Sequence, residues 1–143
     1  MKSKILVFLQ FFLIFLMLLA LSRPTSYLWS GLGITLLGVI LGLVAIKTHE
    51  RGNFNIRPDI KENCELITEG IYGYIRHPMY LSVLIMMFGV MLICFSLYEI
   101  VLYVVLVTVM LVKLFYEESL WQCHSKAYAE YKKKTKRLIP FIF

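Results

Sequence analysis

The sequence predicts an all-α integral membrane bundle: one domain over residues 1–143, with about four transmembrane helices, a cytosolic loop and a C-terminal amphipathic helix. Three observations carry that expectation. The chain is 59% apolar with a mean hydropathy of +0.75, more than a soluble domain of this length buries. The apolar residues gather in runs matching the roughly 20 helical residues that cross a hydrocarbon core of about 30 Å. Nearly every Lys and Arg falls on one side of the threading these runs define.

The first run, about 5–21, follows Lys2 and Lys4 and ends in Ala20-Leu21-Ser22. A basic start and a small-residue end also describe a secretory signal peptide. The run is longer than the usual apolar region of about 7 to 15 residues and leads directly into a second span, so a retained helix is expected. The second run, about 27–46, holds no charge. The third and fourth, about 79–95 and 98–115, are separated by the tight Ser96-Leu97 turn, and Glu99 and Lys113 lie near the ends of the fourth.

The segments left outside the bilayer are a connection, 47–78, and a tail, 116–143. Lys2 and Lys4, then Lys47, Arg51, Arg57, Lys61 and Arg76, then Lys113, Lys126, Lys132, Lys133, Lys134, Lys136 and Arg137 all fall on one side, with Arg23 alone opposite. The positive-inside rule puts both termini and the connection in the cytosol, and it accounts for the net charge of +6 without nucleic acid as a partner. Cys64, Cys94 and Cys123 are odd in number and lack metal-ligand spacing, so neither a disulfide framework nor a metal site is expected.

Gly52, Asn53, Asn55, Pro58, Gly70 and Gly73 give the connection turn chemistry. The tail reads as one helix from about Glu117 to Lys136, with Leu120, Trp121, Ala127, Tyr128 and Tyr131 near helical spacing and Pro140 beyond it. Such a helix can simply lie in the interface, its lysines near anionic lipid. No nucleotide-binding glycine loop, nucleophile elbow or repeat is present.

Two clusters carry chemistry. Gly70-Ile71-Tyr72-Gly73-Tyr74-Ile75-Arg76-His77-Pro78-Met79-Tyr80 runs into the third helix. Pro78 suits a helix first turn, whose free N–H groups and positive dipole end can hold a carboxylate or hydroxyl. Arg76 and His77 add donors at the same mouth. Taken singly, Arg76 and His77 read rather as an interfacial pair contacting lipid phosphate, and Tyr72, Tyr74 and Tyr80 as an aromatic belt. Glu117-Glu118 forms the second cluster, a costly pair beside a membrane surface unless a cation adjoins it. A sulfonium or ammonium ligand would serve, and so would a salt bridge to Lys113 or Arg76.

In order, Asn53-Phe54-Asn55, Leu66-Ile67-Thr68-x-Gly70-x-Tyr72, Arg76-His77-Pro78-x-Tyr80, Glu117-Glu118, Tyr128-x-x-Tyr131 and Pro140-Phe141-Ile142 resemble the isoprenylcysteine carboxyl methyltransferase family. The wider family includes phospholipid N-methyltransferases and small thiol methyltransferases. The resemblance covers roughly residues 50–143, and the Arg-His-Pro-x-Tyr element is its most specific part. It implies S-adenosylmethionine as cofactor, held at the cytosolic end of the last two helices, and a lipid-like acceptor arriving from the bilayer. By position, Leu66, Ile67 and Tyr72 would line the adenosine, His77, Pro78, Met79 and Tyr80 would wrap the cofactor, and Glu117 or Glu118 would contact its polar groups. Lys113 stands near a family arginine that orients the substrate carboxylate, and Arg76 is the other candidate for that role.

The resemblance makes O-methylation of a lipid carboxylate the leading expectation, with phospholipid N-methylation or thiol S-methylation as alternatives. A carboxylate acceptor, ionised at neutral pH with a pKa of about 4, needs no general base. An amine must lose a proton, which would bring in His77 or Glu117. A non-catalytic lipid-binding protein is the rival from another class. A channel or transporter is disfavoured because no ionisable residue lies mid-span.

Overall fold

Inside a bilayer every backbone N–H and C=O needs a partner within the protein, so apolar runs of this length fold as helices. The computed structural model describes residues 2–19, 21, 24–48, 66–140 and 142–143. They form α1 (Lys2–Leu19), α2 (Leu28–Lys47), a 3₁₀ turn (Gly70–Gly73), α3 (Pro78–Ile93), α4 (Leu97–His124) and α5 (Ala127–Lys134), with no strand among them. The expectations placed on Arg23, Arg51, Gly52, Asn53, Phe54, Asn55, Arg57, Pro58, Lys61, Cys64 and Phe141 lie outside the described residues.

Three helices, α1, α2 and α4, are long and apolar enough to cross a membrane. About four transmembrane helices were expected, with full crossing by the last two left open, and α3 is the shorter apolar helix. Its 16 residues reach about 24 Å at 1.5 Å per residue, short of a hydrocarbon core of about 30 Å. The expected helix at 98–115 and tail helix at 117–136 divide differently in the structure. α4 runs unbroken for 28 residues, well past its apolar part, and the chain breaks only at Ser125, before the eight residues of α5. Its last turns therefore rise beyond the apolar run and carry Glu117 and Glu118 beside the start of α3.

α2 packs along α3 on small residues. A Cβ on Gly38 would lie 2.5 Å from the Met86 backbone N and 2.8 Å from its Cα, so the backbones approach as only glycine permits. Gly38→Val is expected to cost about 1–3 kcal/mol by overpacking, read as a lower thermal midpoint in detergent. Gly33→Ala, whose Cβ would meet nothing within 4 Å, should leave that midpoint unchanged.

α1 lies against α4. Leu13 and Met17 join Leu84, Met87, Val90, Leu106, Met110 and Leu114 in the core, while Phe8, Phe11, Phe12 and Phe15 are exposed, as a lipid-facing surface requires. At the α3–α4 corner the Ser96 hydroxyl accepts from the Glu99 N–H as an N-cap, which fixes the turn.

Candidate active site

The site begins at a glycine turn. Gly70 has φ +56, a left-handed conformation that suits glycine, and it opens the 3₁₀ turn leading to the α3 mouth. The next residues are tied to the tail. Lys136 N–H donates to the Tyr74 carbonyl (3.1 Å), and the Arg76 and His77 N–H groups donate to the carbonyls of Lys136 (2.7 Å) and Arg137 (3.0 Å). Ile75 and Lys136 form a parallel bridge. The tail is thus folded back over the end of α3. His77 occupies the N-cap of α3 without a side-chain cap, and Pro78 occupies the first turn. Among the described residues, the first-turn N–H groups of Met79 and Tyr80 therefore have no partner at the positive end of the helix.

Arg76, expected to orient substrate, is buried and committed within the protein. Its Nε donates to Glu118 Oε1 (2.8 Å), and one terminal nitrogen donates to the carbonyls of Thr135 and, at 3.3 Å, Lys132. Those carbonyls end α5, so this guanidinium caps the helix while pairing with α4. Arg137 Nε donates to the other Glu118 oxygen at 3.1 Å, and its guanidinium lies 5.2 Å from the ring centroids of both Phe115 and Phe143. Glu118, 3% exposed, thus serves two guanidinium groups of its own chain.

Glu117 is placed differently. It is half-buried, and its Oε2 accepts from the Tyr80 hydroxyl. Tyr80 stacks on His77 with ring centroids 5.2 Å apart. His77 Nε2 is buried, stands 3.5 Å from Glu118 Oε1 and has no hydrogen-bond partner among the described residues. Lys113 Nζ lies 5.0 Å from the Tyr80 ring centroid and donates to Gln10 Oε1 at 2.8 Å.

Behind this cluster are the tail tyrosines. Tyr131 donates its hydroxyl to the Tyr72 carbonyl at 2.7 Å, joining α5 to the 3₁₀ turn. Burial pushes the phenols of Tyr72, Tyr128 and Tyr131 well above their usual range, and nearby carboxylates add to the rise, Glu117 at Tyr72 and Glu118 ahead of Glu117 at Tyr128. All three stay neutral at physiological pH. The Tyr128 hydroxyl is buried without a hydrogen-bond partner among the described residues.

The structure therefore brings Tyr72, Arg76, His77, Pro78, Tyr80, Lys113, Glu117 and Glu118 to one place. Leu66 and Ile67 are half-buried just before the turn, and half-buried Met79 gives its carbonyl to the Ser82 hydroxyl. Sequence reasoning missed Gln10. The only signal was a single amide inside an otherwise apolar stretch of the first helix. It also missed Thr135, whose carbonyl receives Arg76 across 59 residues.

A family model for phospholipid methyltransferases matches residues 26–130, which include α2, α3, α4 and both site clusters. No curated protein matches the chain. The matched family is one of methyltransferases, and the apolar helices make the chain a membrane protein. With nearly three quarters of its length matched, the chain belongs to the phospholipid methyltransferase family, in the superfamily that also holds the isoprenylcysteine carboxyl methyltransferases.

Proposed function

We propose that this protein transfers a methyl group from S-adenosylmethionine to the polar head of a membrane lipid, at the cytosolic ends of α3 and α4. The observation that carries the proposal is the unequal state of the two acids. Glu118 is saturated by Arg76 and Arg137, whereas half-buried Glu117 has Tyr80 as its hydrogen-bond partner and lies beside the first turn of α3.

That mouth fits the cofactor. The N–H groups at Met79 and Tyr80, without partners among the described residues, suit a carboxylate. Glu117 suits an ammonium or sulfonium, and Leu66, Ile67 and Tyr72 offer apolar and aromatic surface for the adenine. When bound, the cofactor supplies an electrophilic methyl carbon, and the protein's task is alignment and exclusion of water.

Two acceptors divide the chemistry. With Arg76 occupied, Lys113 is, among the described residues of the site, the cation with no carboxylate partner, and Glu117 lies one helical turn further along α4. That pairing of charges favours an aminophospholipid, its phosphate toward Lys113 and its amine toward Glu117, which would take the amine's proton. A lipid carboxylate would use Lys113 and need no base.

The test supplies S-adenosylmethionine with a labelled methyl group to the detergent-purified protein, with phosphatidylethanolamine or N-acetyl-S-farnesylcysteine as acceptor. Label that enters the lipid and stays non-volatile after alkali, carried on the headgroup amine, is the expected result. Label released by alkali as methanol would identify a methyl ester and the carboxylate acceptor. No transfer to either, with no calorimetric binding of S-adenosylhomocysteine, would overturn the proposal and leave the lipid-binding reading.

A further inference from the structure

The buried ammonium of Lys113 is an unusual group to find 2% exposed beside the apolar body of a membrane helix. Burying a charge is costly unless it is paired and hydrogen-bonded. No carboxylate lies within ion-pair distance of Lys113 among the described residues. Its contacts are the Gln10 amide oxygen, at 2.8 Å, and the face of Tyr80. An ammonium has three donors, so Gln10 satisfies one and the ring face softens a second direction.

Gln10 belongs to α1, which precedes the segment matched by the family model. It is 6% exposed and turned inward on a helix whose phenylalanines face outward. Apolar residues surround it along that helix, and a leucine there would leave the buried Lys113 ammonium without its hydrogen bond. The amide therefore has a purpose beyond filling space: its oxygen fixes where the Lys113 charge stands.

We propose that Gln10 is a positioning residue of the active site, holding the Lys113 ammonium against Tyr80 so that it meets the oxyanion of the acceptor, phosphate or carboxylate. The inference rests on the methyltransferase reading above and makes α1 a wall of the acceptor site. A neutral acceptor of the Lys113 hydrogen bond is essential. A carboxylate in its place would pair with the ammonium and compete with the incoming lipid, while an apolar side chain would release the ammonium from its position.

Gln10→Glu and Gln10→Leu are compared with the parent in detergent micelles containing phosphatidylethanolamine or, separately, N-acetyl-S-farnesylcysteine. The acceptor that is turned over tells phosphate from carboxylate. Expected for both variants is an acceptor KM raised about tenfold, kcat changed much less and S-adenosylhomocysteine affinity unchanged. Leu13→Ala, a packing loss one turn along the same helix, should lower the thermal midpoint without that KM split. An unchanged acceptor KM in active Gln10 variants overturns the inference and leaves the methyltransferase reading intact. A parent that neither binds S-adenosylhomocysteine nor transfers methyl overturns both.

Discussion

Replacing Glu118 with alanine is expected to abolish methyl transfer and to lower stability by about 3 to 5 kcal/mol, the scale for breaking a buried ion pair from one side. The reason is the number of groups that depend on this carboxylate. Arg76 and Arg137 both donate to it, and Arg76 also holds the end of α5 through the Thr135 and Lys132 carbonyls. Without Glu118, the buried Arg76 guanidinium has lost its counter-charge and the tail has lost its tie to α4. The backbone pairing of Tyr74, Arg76 and His77 with Lys136 and Arg137 and the Tyr131–Tyr72 hydrogen bond then remain to oppose fraying. The thermal midpoint in detergent should fall sharply, and proteolysis should cut first among Lys132, Lys133 and Lys134. Glu118→Gln, which keeps the shape and one acceptor oxygen, should fall between alanine and the parent. An alanine variant with parental stability and an intact tail would show that the Glu118 cluster does not hold the site together.

The division of labour between two adjacent glutamates shows where sequence reading stops. The helices were legible because apolar runs have a length, and length against bilayer thickness is a one-dimensional argument. α1 and α2 lie within a few residues of the expected 5–21 and 27–46. The end of α4 was not legible from apolarity, because the helix continues where the apolar run stops. Tyr116 to His124 contains good helix formers and no breaker, so the helix continues past the apolar run to Ser125. The motif at the α3 mouth was legible because proline, histidine and arginine together suggest a helix start with donors. The fate of each donor was not. Arg76 could have turned toward substrate or toward its own chain, and that depended on α5 delivering carbonyls from 56 and 59 residues away. Glu117 and Glu118 differ by one step of about 100° around a helix, which sends one to Tyr80 and the other to the guanidiniums. Gln10 meets Lys113 across 103 residues, a pairing fixed by the packing of α1 on α4.

That same 100° step yields the second large effect. Glu117→Gln is expected to leave stability within about 1 kcal/mol of the parent, since Glu117 is half-buried and is paired with a neutral phenol. The Lys113 contacts to Gln10 and Tyr80 do not run through it. Activity should behave otherwise. If the acceptor is an amine, the variant removes the group that takes its proton, and kcat should fall by about 10²- to 10⁴-fold with the folded protein intact. If the acceptor is a carboxylate, no proton is lost, and the defect should be confined to weaker binding of S-adenosylhomocysteine. Tyr80→Phe separates the terms further, because it removes the hydroxyl that donates to Glu117 while keeping the ring against Lys113 and His77. It should reproduce part of the Glu117 defect and none of the Gln10 effect on acceptor KM. A Glu117→Gln enzyme with parental kcat and parental S-adenosylhomocysteine affinity would remove Glu117 from the site. The half-buried carboxylate would then be no more than the partner of a tyrosine.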